Sequence, residues 1–363
     1  MSAKSPKVLI AIIHYNTPQY LKTCLNSIFS QTYENMEVIF IDNDSPDKSG
    51  VDFVRENYAS EESIGDAEKV NRKIKIVENK ENTGYAKAAN QGIKMAIENE
   101  NPADYVVITN PDIIYTPEYF EKIVARAEKD KKIAAITGKV YKYDFDRERT
   151  TKIIDTVGIF AYRNRRFIDD GQGLTDEGQF DEEREIFGVS GACPMYRREA
   201  LEDVRIFDEY MDEDFFMYKE DIDLSWRFLL YGWKNIYYPE AVAYHGRGTG
   251  IKRRFFNKDV LANRSKLSIF QKKYSFKNQH LMERKNELWG NFFMDFFPIM
   301  LKKAALAFYM TFKEPYLWRS YLDYLKQLPR ILKKRKIIMA NKKISAKEMR
   351  KWFKKQSDYI HKT

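Results

Sequence analysis

Short apolar runs alternate with helix-patterned stretches through the first third of this chain, and most of those runs end on a polar or acidic loop. Val8–Ile13 reads as a buried strand, and Pro18 to Gln31 carries Tyr20, Leu21, Cys24, Leu25 and Ile28 at helical spacing. Glu37–Ile41 is a second strand, closing in the acidic loop Asp42–Gly50, and Ile74–Val77 is a third. Tyr85 to Asn99 has the pattern of a helix. Tyr105–Thr109 is a fourth strand that ends in Asn110-Pro111-Asp112, and Thr116 or Pro117 opens the next helix. This alternation predicts an α/β fold with a doubly wound, mostly parallel sheet and helices on both faces. Such sheets bind ligands beyond the carboxyl ends of their strands. Asn16, Asp42, Asp44 and Asp112 are therefore expected on one rim.

The remainder is less regular. Asp144 to Phe187 is polar and glycine-bearing and reads as partly irregular. Val189–Tyr196 reads as a strand segment, Phe215 to Leu230 as the approach to a helix and then the helix, and Asn235–Tyr238 as a late strand. From about Arg253 the pattern is basic and helical. A boundary near Gly250 gives a catalytic domain over 1–250 and a basic, aromatic-rich helical region over 251–363. Charge follows that division. The net charge is +9, yet 29 Lys and Arg stand against 8 Asp and Glu after Gly250, so the earlier part is acidic. The only two cysteines, Cys24 and Cys193, lie in separate motifs and read as reduced thiols of a cytosolic protein. No signal peptide pattern is visible, and the most apolar stretch, Leu288 to Phe312, is interrupted by Asp295, Lys302 and Lys303.

Three constellations carry chemistry. Asp112 projects from a proline-fixed turn with Asn110 beside it, although Asn-Pro-Asp alone is an ordinary turn signal. In Met217–Arg227, Asp223 and Arg227 are four apart on a helix and can pair. Glu220 and Asp221 sit at that helix's start, where the dipole favours carboxylates and crowding can raise one carboxyl pKa to make a base. His245 precedes a glycine-rich loop in which Arg247 and Thr249 can face phosphate oxygens. His14, His280 and His361 read as structural, with His14 close enough to the rim to touch a ligand.

In order along the chain, these segments resemble a family 2 glycosyltransferase of the GT-A fold. The resemblance covers about residues 7–250. It rests on Ile13-His14-Tyr15-Asn16-Thr17-Pro18, on Asp42-Asn43-Asp44-Ser45, on Asn82-Thr83-Gly84-Tyr85-Ala86 with Asn90 and Gly92, and on Asn110-Pro111-Asp112. Glu220-Asp221 with Asp223 and Arg227, and then His245, complete it. It implies a metal-dependent, inverting transfer of a sugar from a nucleotide-sugar donor. Tyr15 and Asp42 would bind base and ribose, with Asn16, Asp44, Asn82, Gly84, Asn90, Asn110 and Arg247 also on the donor side. Ser190, Gly191 and Ala192 would shape the sugar pocket. Asp112 and His245 would hold Mg2+ or Mn2+, Asp221 would be the general base, and Glu220, Asp223 and Arg227 would serve the acceptor or support the site. The departure is Asn110, where the family has the first Asp of its metal motif.

A finer resemblance, through Asp155-Thr-Val-Gly, Asp170-Gly-Gln-Gly and Val189-Ser190-Gly191-Ala192, is to bacterial rhamnosyltransferases. It implies dTDP-L-rhamnose as donor and a saccharide acceptor on a polyprenyl diphosphate lipid. Cell-wall or capsular polysaccharide would be the product, made on the inner face of the cell membrane. UDP-hexose, UDP-GlcNAc and UDP-galactofuranose are the alternative donors. Leu317, Trp318, Tyr321, Leu322, Leu325, Leu328 and Leu332 with Lys326, Arg330 and Lys333–Lys336 read as an amphipathic helix with a basic face. It suits an anionic membrane surface, or else packing on the catalytic domain or a homodimer contact. Nucleotidyl transfer lacks its glycine-rich basic loop here. A polyanion- or nucleic-acid-binding protein is the reading from another class, and the acidic rim argues against nucleic acid.

Overall fold

Every residue of the first strand, β1 (Val8–His14), is buried, and its alternate side chains feed two different cores. In the computed structural model, which describes residues 5–58, 74–246 and 264–359, it is followed by α1 (Leu21–Phe29), β2 (Met36–Asp42) and α2 (Ser49–Tyr58). Then come β3 (Ile74–Glu78), α3 (Tyr85–Ile97), β4 (Tyr105–Thr109), the short β5 (Ile113–Tyr115) and α4 (Tyr119–Glu128). Leu9, Ala11 and Ile13 pack with α3 on one face, while Val8, Ile10 and Ile12 pack with α1, α2 and α4 on the other. Burial on both faces makes these strands continuously apolar rather than alternating. Gly92 lets α3 come close: a Cβ there would lie 2.7 Å from that of Ala11.

The sheet is mixed. Among the described residues it has ten strands, and β1 pairs in parallel with β2 and β4, as β2 does with β3. The stretch expected to be partly irregular holds short strands among turns and loops, preceded by a longer strand. β6 (Ile133–Asp144) and β7 (Arg149–Thr156) pair antiparallel, β8 (Ile159–Tyr162) and β9 (Phe167–Asp169) form a small second sheet, and β10 (Arg184–Ile186) edges the main one. Their polar and glycine-rich sequence reflects exposure and turns, which mask a strand's period. Of the strand expected at Val189–Tyr196 only β11 (Met195–Arg197) pairs, slotted antiparallel between β4 and β6 and followed by α5 (Arg198–Asp203). After α6 (Glu220–Leu230), the late strand is longer than expected: β12 (Lys234–His245), with a register shift between Tyr238 and Val242.

The C-terminal region is helical: α7 (Ile269–Asn286), α8 (Trp289–Met294), α9 (Phe296–Lys313), α10 (Leu317–Asn341) and α11 (Ala346–Arg350). A last strand, β13 (Phe353–Lys354), adds in parallel to β8. The boundary near Gly250 falls outside the described residues. Leu281, Met282, Ile331, Ile338 and Phe353 share one core cluster with Trp226 and Tyr210, so the two regions are welded together.

Of the alternatives for α10, packing on the catalytic domain is what the structure shows, and one residue of its basic face, Lys334, is turned inward while Lys326, Arg330, Lys333 and Lys336 stay exposed. Lys334 is buried and pairs with Glu209, Asp212 and Asp214 at 2.7, 2.5 and 2.8 Å. Arg330 reaches Asp214 at 2.9 Å, while Leu322, Leu325 and Leu332 face out. An acidic strip under the helix selects this rotation, because buried carboxylates need cations more than leucines need shelter. Lys285 of α7 completes the arrangement by pairing with Asp212 and, at 2.9 Å, with Asp223. Lys285→Met leaves two buried carboxylates short of a partner, and roughly 3 kcal/mol or more of stability should be lost in denaturant unfolding; a loss below about 1 kcal/mol would mean the network is solvent-screened.

Candidate active site

The rim is built where β1, β2 and β4 end side by side. Asp42, the last residue of β2, is fully buried. It meets His14 Nδ1 at 2.9 Å, the Ser45 amide at 3.2 Å and Lys48 Nζ at 3.0 Å. Burial alone would raise its pKa, but these partners hold the carboxyl well below the usual range. Its role here is to fix the loop that follows, which leaves Tyr15 and Asn16 exposed and Asp44 half-buried as the groups a ligand can reach. Asn16 and Asp44 adopt left-handed backbone, with φ of 53° and 64°, a conformation these two residue types tolerate. His14 is structural: its Nε2 accepts from the Thr17 amide at 3.3 Å.

Sequence reasoning passed over Asn43. Its amide donates to Asn82 Oδ1 and the Gly84 carbonyl, and its oxygen accepts from Asn79 and Thr83, which ties the loops after β2 and β3 together. Gly84 has φ of +81°, and a Cβ would strike the Phe216 ring at 2.5 Å and its carbonyl at 2.6 Å. Asn90 departs from its expected place. It is buried, its amide is engaged by Met211 and Glu213, and it pins the chain leading to α6 rather than facing a donor.

Antiparallel pairing of β5 with β12 sets His245 opposite Ile113 and so beside Asp112. His245 Nε2 lies 3.3 Å from Asp112 Oδ2, and Nδ1 lies 2.8 Å from Asp155 Oδ2. Burial would lower the pKa of His245, but the Asp112 and Asp155 carboxylates raise it to about 9. Asp155 is an orienting partner on β7, and its sequence gave no sign of that before β7 was seen against β6. Gly246 allows the close approach: a Cβ would overlap the Phe145 ring at 2.1 Å. Among the described residues no group of three or more His, Cys, Asp or Glu is placed to hold a metal ion, and the Asp112–His245 pair presents two potential donor groups at this corner. A part-exposed carboxylate with an imidazole nitrogen anchored from behind fits an ion that takes its other ligands from a diphosphate and water. Arg247 lies outside the described residues.

Asp221 starts α6. Its Oδ2 accepts from the Gly191 amide at 2.8 Å and its Oδ1 from the Ile222 amide at 2.8 Å. Ser190 is buried, and the Ala192 carbonyl accepts from the Asn110 amide at 3.4 Å, so Ser190–Ala192 links Asp221 to the Asn110–Asp112 turn. Burial pushes the Asp221 carboxyl up. Glu220 is more deeply buried, and burial followed by the Asp221 charge pushes it up to about 8. Convergence shows at Tyr85, whose hydroxyl donates to the Gly191 carbonyl at 3.1 Å. Burial, then Glu220, Asp221 and Asp112, push its pKa well above the ordinary range.

The backbone entering α6 is strained, with φ of 65°, 71° and 78° at Phe216, Tyr218 and Lys219. Asn278 of α7, another residue that sequence reasoning missed, holds it. Its amide nitrogen sits 2.8–2.9 Å from the carbonyl oxygens of Phe215, Met217 and Tyr218. Asp223 and Arg227 pair at 3.2 Å and are both buried. Asp223 accepts from Asn286 at 2.7 Å, and Arg227 donates to the Val204 carbonyl, so the pair supports the helix from below.

A model of the family described as Glycosyl transferase family 2 matches residues 9–205. A protein of Haemophilus influenzae described as an uncharacterized glycosyltransferase is 30% identical over 131 residues, 36% of each chain, so the chain spans about a third of that relative's length. The N-acetylglucosaminyl-diphospho-decaprenol L-rhamnosyltransferase of Mycobacterium tuberculosis is 25% identical over 259 residues, 67% of this chain and 77% of that one. Among solved structures, GalNAc-T7 with UDP, GalNAc and Mn2+ superposes with a TM-score of 0.54 at 14% identity. That match covers 77% of this chain and 48% of that one, and it is a likeness of fold.

The Glu220 pKa gives a pH signature. A carboxyl raised from 4.5 to about 8 on folding contributes stability that is whole below 4.5 and lost as pH rises to 8. Glu220→Gln removes that dependence, so its melting temperature should gain on the wild type steadily across this window in a pH series. Parallel curves would show that Glu220 is ionised in the folded chain.

Proposed function

The chain belongs to glycosyl transferase family 2, and on that premise we propose that it transfers L-rhamnose from dTDP-L-rhamnose to a hydroxyl of a lipid-linked saccharide, inverting the anomeric carbon. The observation that carries the reaction type is the meeting of the Asp221 carboxylate, across the Ser190–Ala192 bridge, with the Asp112–His245 corner. Sequence similarity to the Mycobacterium tuberculosis rhamnosyltransferase, which spans two thirds of this chain, supports the donor and the kind of acceptor. Polysaccharide synthesis at the inner membrane face follows from that reading, and no described helix is long and apolar enough to cross a membrane.

Asp221 is the base. Two backbone amides hold its oxygens without neutralising them, while Glu220 beside it keeps its proton near neutral pH. Asp221 takes the proton of the acceptor hydroxyl as that oxygen bonds to the anomeric carbon. The bond from that carbon to the diphosphate oxygen breaks on the opposite side, and its electron pair leaves with the nucleoside diphosphate. Asp112 and His245 are the residues to hold Mg2+ or Mn2+, which supplies neutralising charge to the leaving diphosphate. Tyr15, Asn16 and Asp44 receive the nucleoside on the loop that Asp42 fixes, with Asn82 and Gly84 shaping its far wall. Ser190, Gly191 and Ala192 line the sugar. Glu220, Asp223 and Arg227 support the base.

Two measurements test this. Asp221→Asn should cut turnover by about 10²–10⁴-fold while calorimetric donor affinity is retained; turnover within about twofold of wild type would remove Asp221 from the base role. In thermal-shift screening with and without Mn2+, dTDP-rhamnose should stabilise more than UDP-hexose, UDP-GlcNAc or UDP-galactofuranose, and only with metal. A larger shift from a UDP sugar would reassign the donor.

A further inference from the structure

The helix α9 is built inside out. Phe297, Leu301, Phe308 and Phe312 form one stripe and are 83%, 74%, 69% and 67% exposed, with Ala304 and Ala305 exposed between them. One turn earlier, Phe293 of α8 is 68% exposed. The opposite side of α9 buries Ile299 and Met310 and turns Lys302 and Lys303 inward to Glu283, at 3.1 and 2.9 Å. A helix folded against water does the reverse, with ammonium groups out and rings in. So large a run of exposed aromatic surface marks a binding face.

Charge says what covers it. Residues 289–336 hold ten Lys and Arg against three Asp and Glu. All three acids are paired within the chain, Asp295 with Arg165, Glu314 with Lys272 and Asp323 with Lys326, and of the cations Lys302, Lys303, Lys326, Arg330 and Lys334 pair with carboxylates, which leaves Lys313, Arg319, Lys333, Arg335 and Lys336 as the surplus. At the first turn of α9, Pro298 borders a cavity of about 320 Å³ lined by Arg163, Arg166, Lys354 and Lys355 and by no carboxylate. The Nε of Arg163 is buried without a hydrogen bond. A second copy would press like charge against like, whereas a sheet of lipid phosphates complements it.

We propose that the outward stripe of α9 lies in the plane of an anionic phospholipid bilayer, rings among the acyl chains, with a lipid phosphate in the Arg163–Lys355 cavity. This deepens the reading of a lipid-linked acceptor by naming the surface that meets the membrane. It differs from the basic face of α10 expected from sequence, of which Lys334 is taken up internally while Lys326, Arg330, Lys333 and Lys336 stay exposed.

The test needs no sugar, so it is separable from the transfer reaction. The full chain is floated with vesicles of phosphatidylcholine alone or mixed with phosphatidylglycerol. It should float with the mixed vesicles, and Phe297→Asp with Phe308→Asp should reduce flotation at least about tenfold. Arg166→Glu with Lys354→Glu should remove the preference for phosphatidylglycerol. Bromine-labelled acyl chains should quench the tryptophan fluorescence of the wild type, a readout that does not depend on how the variants fold. Flotation unchanged in the Phe297/Phe308 variant, or no quenching, overturns the proposal. Self-association that those substitutions abolish, without flotation, assigns the stripe to a second copy. Donor hydrolysis in solution, measured in parallel, reports on the transfer reading alone.

Discussion

Two buried ammonium groups, Lys285 and Lys334, hold this molecule together where it matters most. They neutralise Asp212 from two sides, and between them they also reach Glu209, Asp214 and Asp223. The two cations hold the Asp212 carboxyl well below its ordinary range despite its burial. Ions buried this way add little over a well-packed apolar core, but they tolerate no missing partner. The acidic segment that leads into α6 therefore cannot keep its shape without the basic helices behind it. The lopsided charge of the two regions is, in part, one interaction divided along the chain.

That dependence extends to Asp221. Three left-handed non-glycine residues in a row of four are costly, and they persist only where their surroundings over-determine them. Here the surroundings are Asn278 behind the carbonyls, Gly84 making room for the Phe216 ring, and the Ala86 amide bonded to the Phe216 carbonyl at 3.0 Å. The strain delivers Asp221 to the Gly191 amide at the mouth rather than into the core. Asp223, two residues on, is consumed by the scaffold.

Much of this was legible in the sequence, and the reasons are local. The first four strands announce themselves because burial on both faces writes unbroken apolar runs, and the loops at their ends carry the candidate carboxylates. Asp112 could be named as a candidate for the same reason, and Asp221 and His245 from the acidic helix start, the glycine-rich loop and the family resemblance. The strands β6 and β7 and the partners Asp155 and Asn43 could not, because their meaning lies in pairing between distant segments. Asn278 is one polar residue on a helix without a readable face. The inward turn of Lys334 on α10 could not be read, because leucine spacing predicts which side is apolar, not which cation an acidic strip beneath will claim. Asn90 was misplaced because a motif residue can serve the scaffold as easily as the ligand.

The small parallel pairing of β13 with β8 sets the order in which a newly made chain can become competent. Phe353 packs on Trp226 of α6 with ring centroids 5.4 Å apart, and the Arg165 guanidinium lies 3.8 Å from the centre of the Phe353 ring. The floor beneath the helix that carries Asp221 is thus closed by residues translated more than a hundred positions later. On the ribosome, the strands of the rim can assemble early, but the helix carrying the carboxylate gains its last wall only after residue 353 has cleared the exit tunnel.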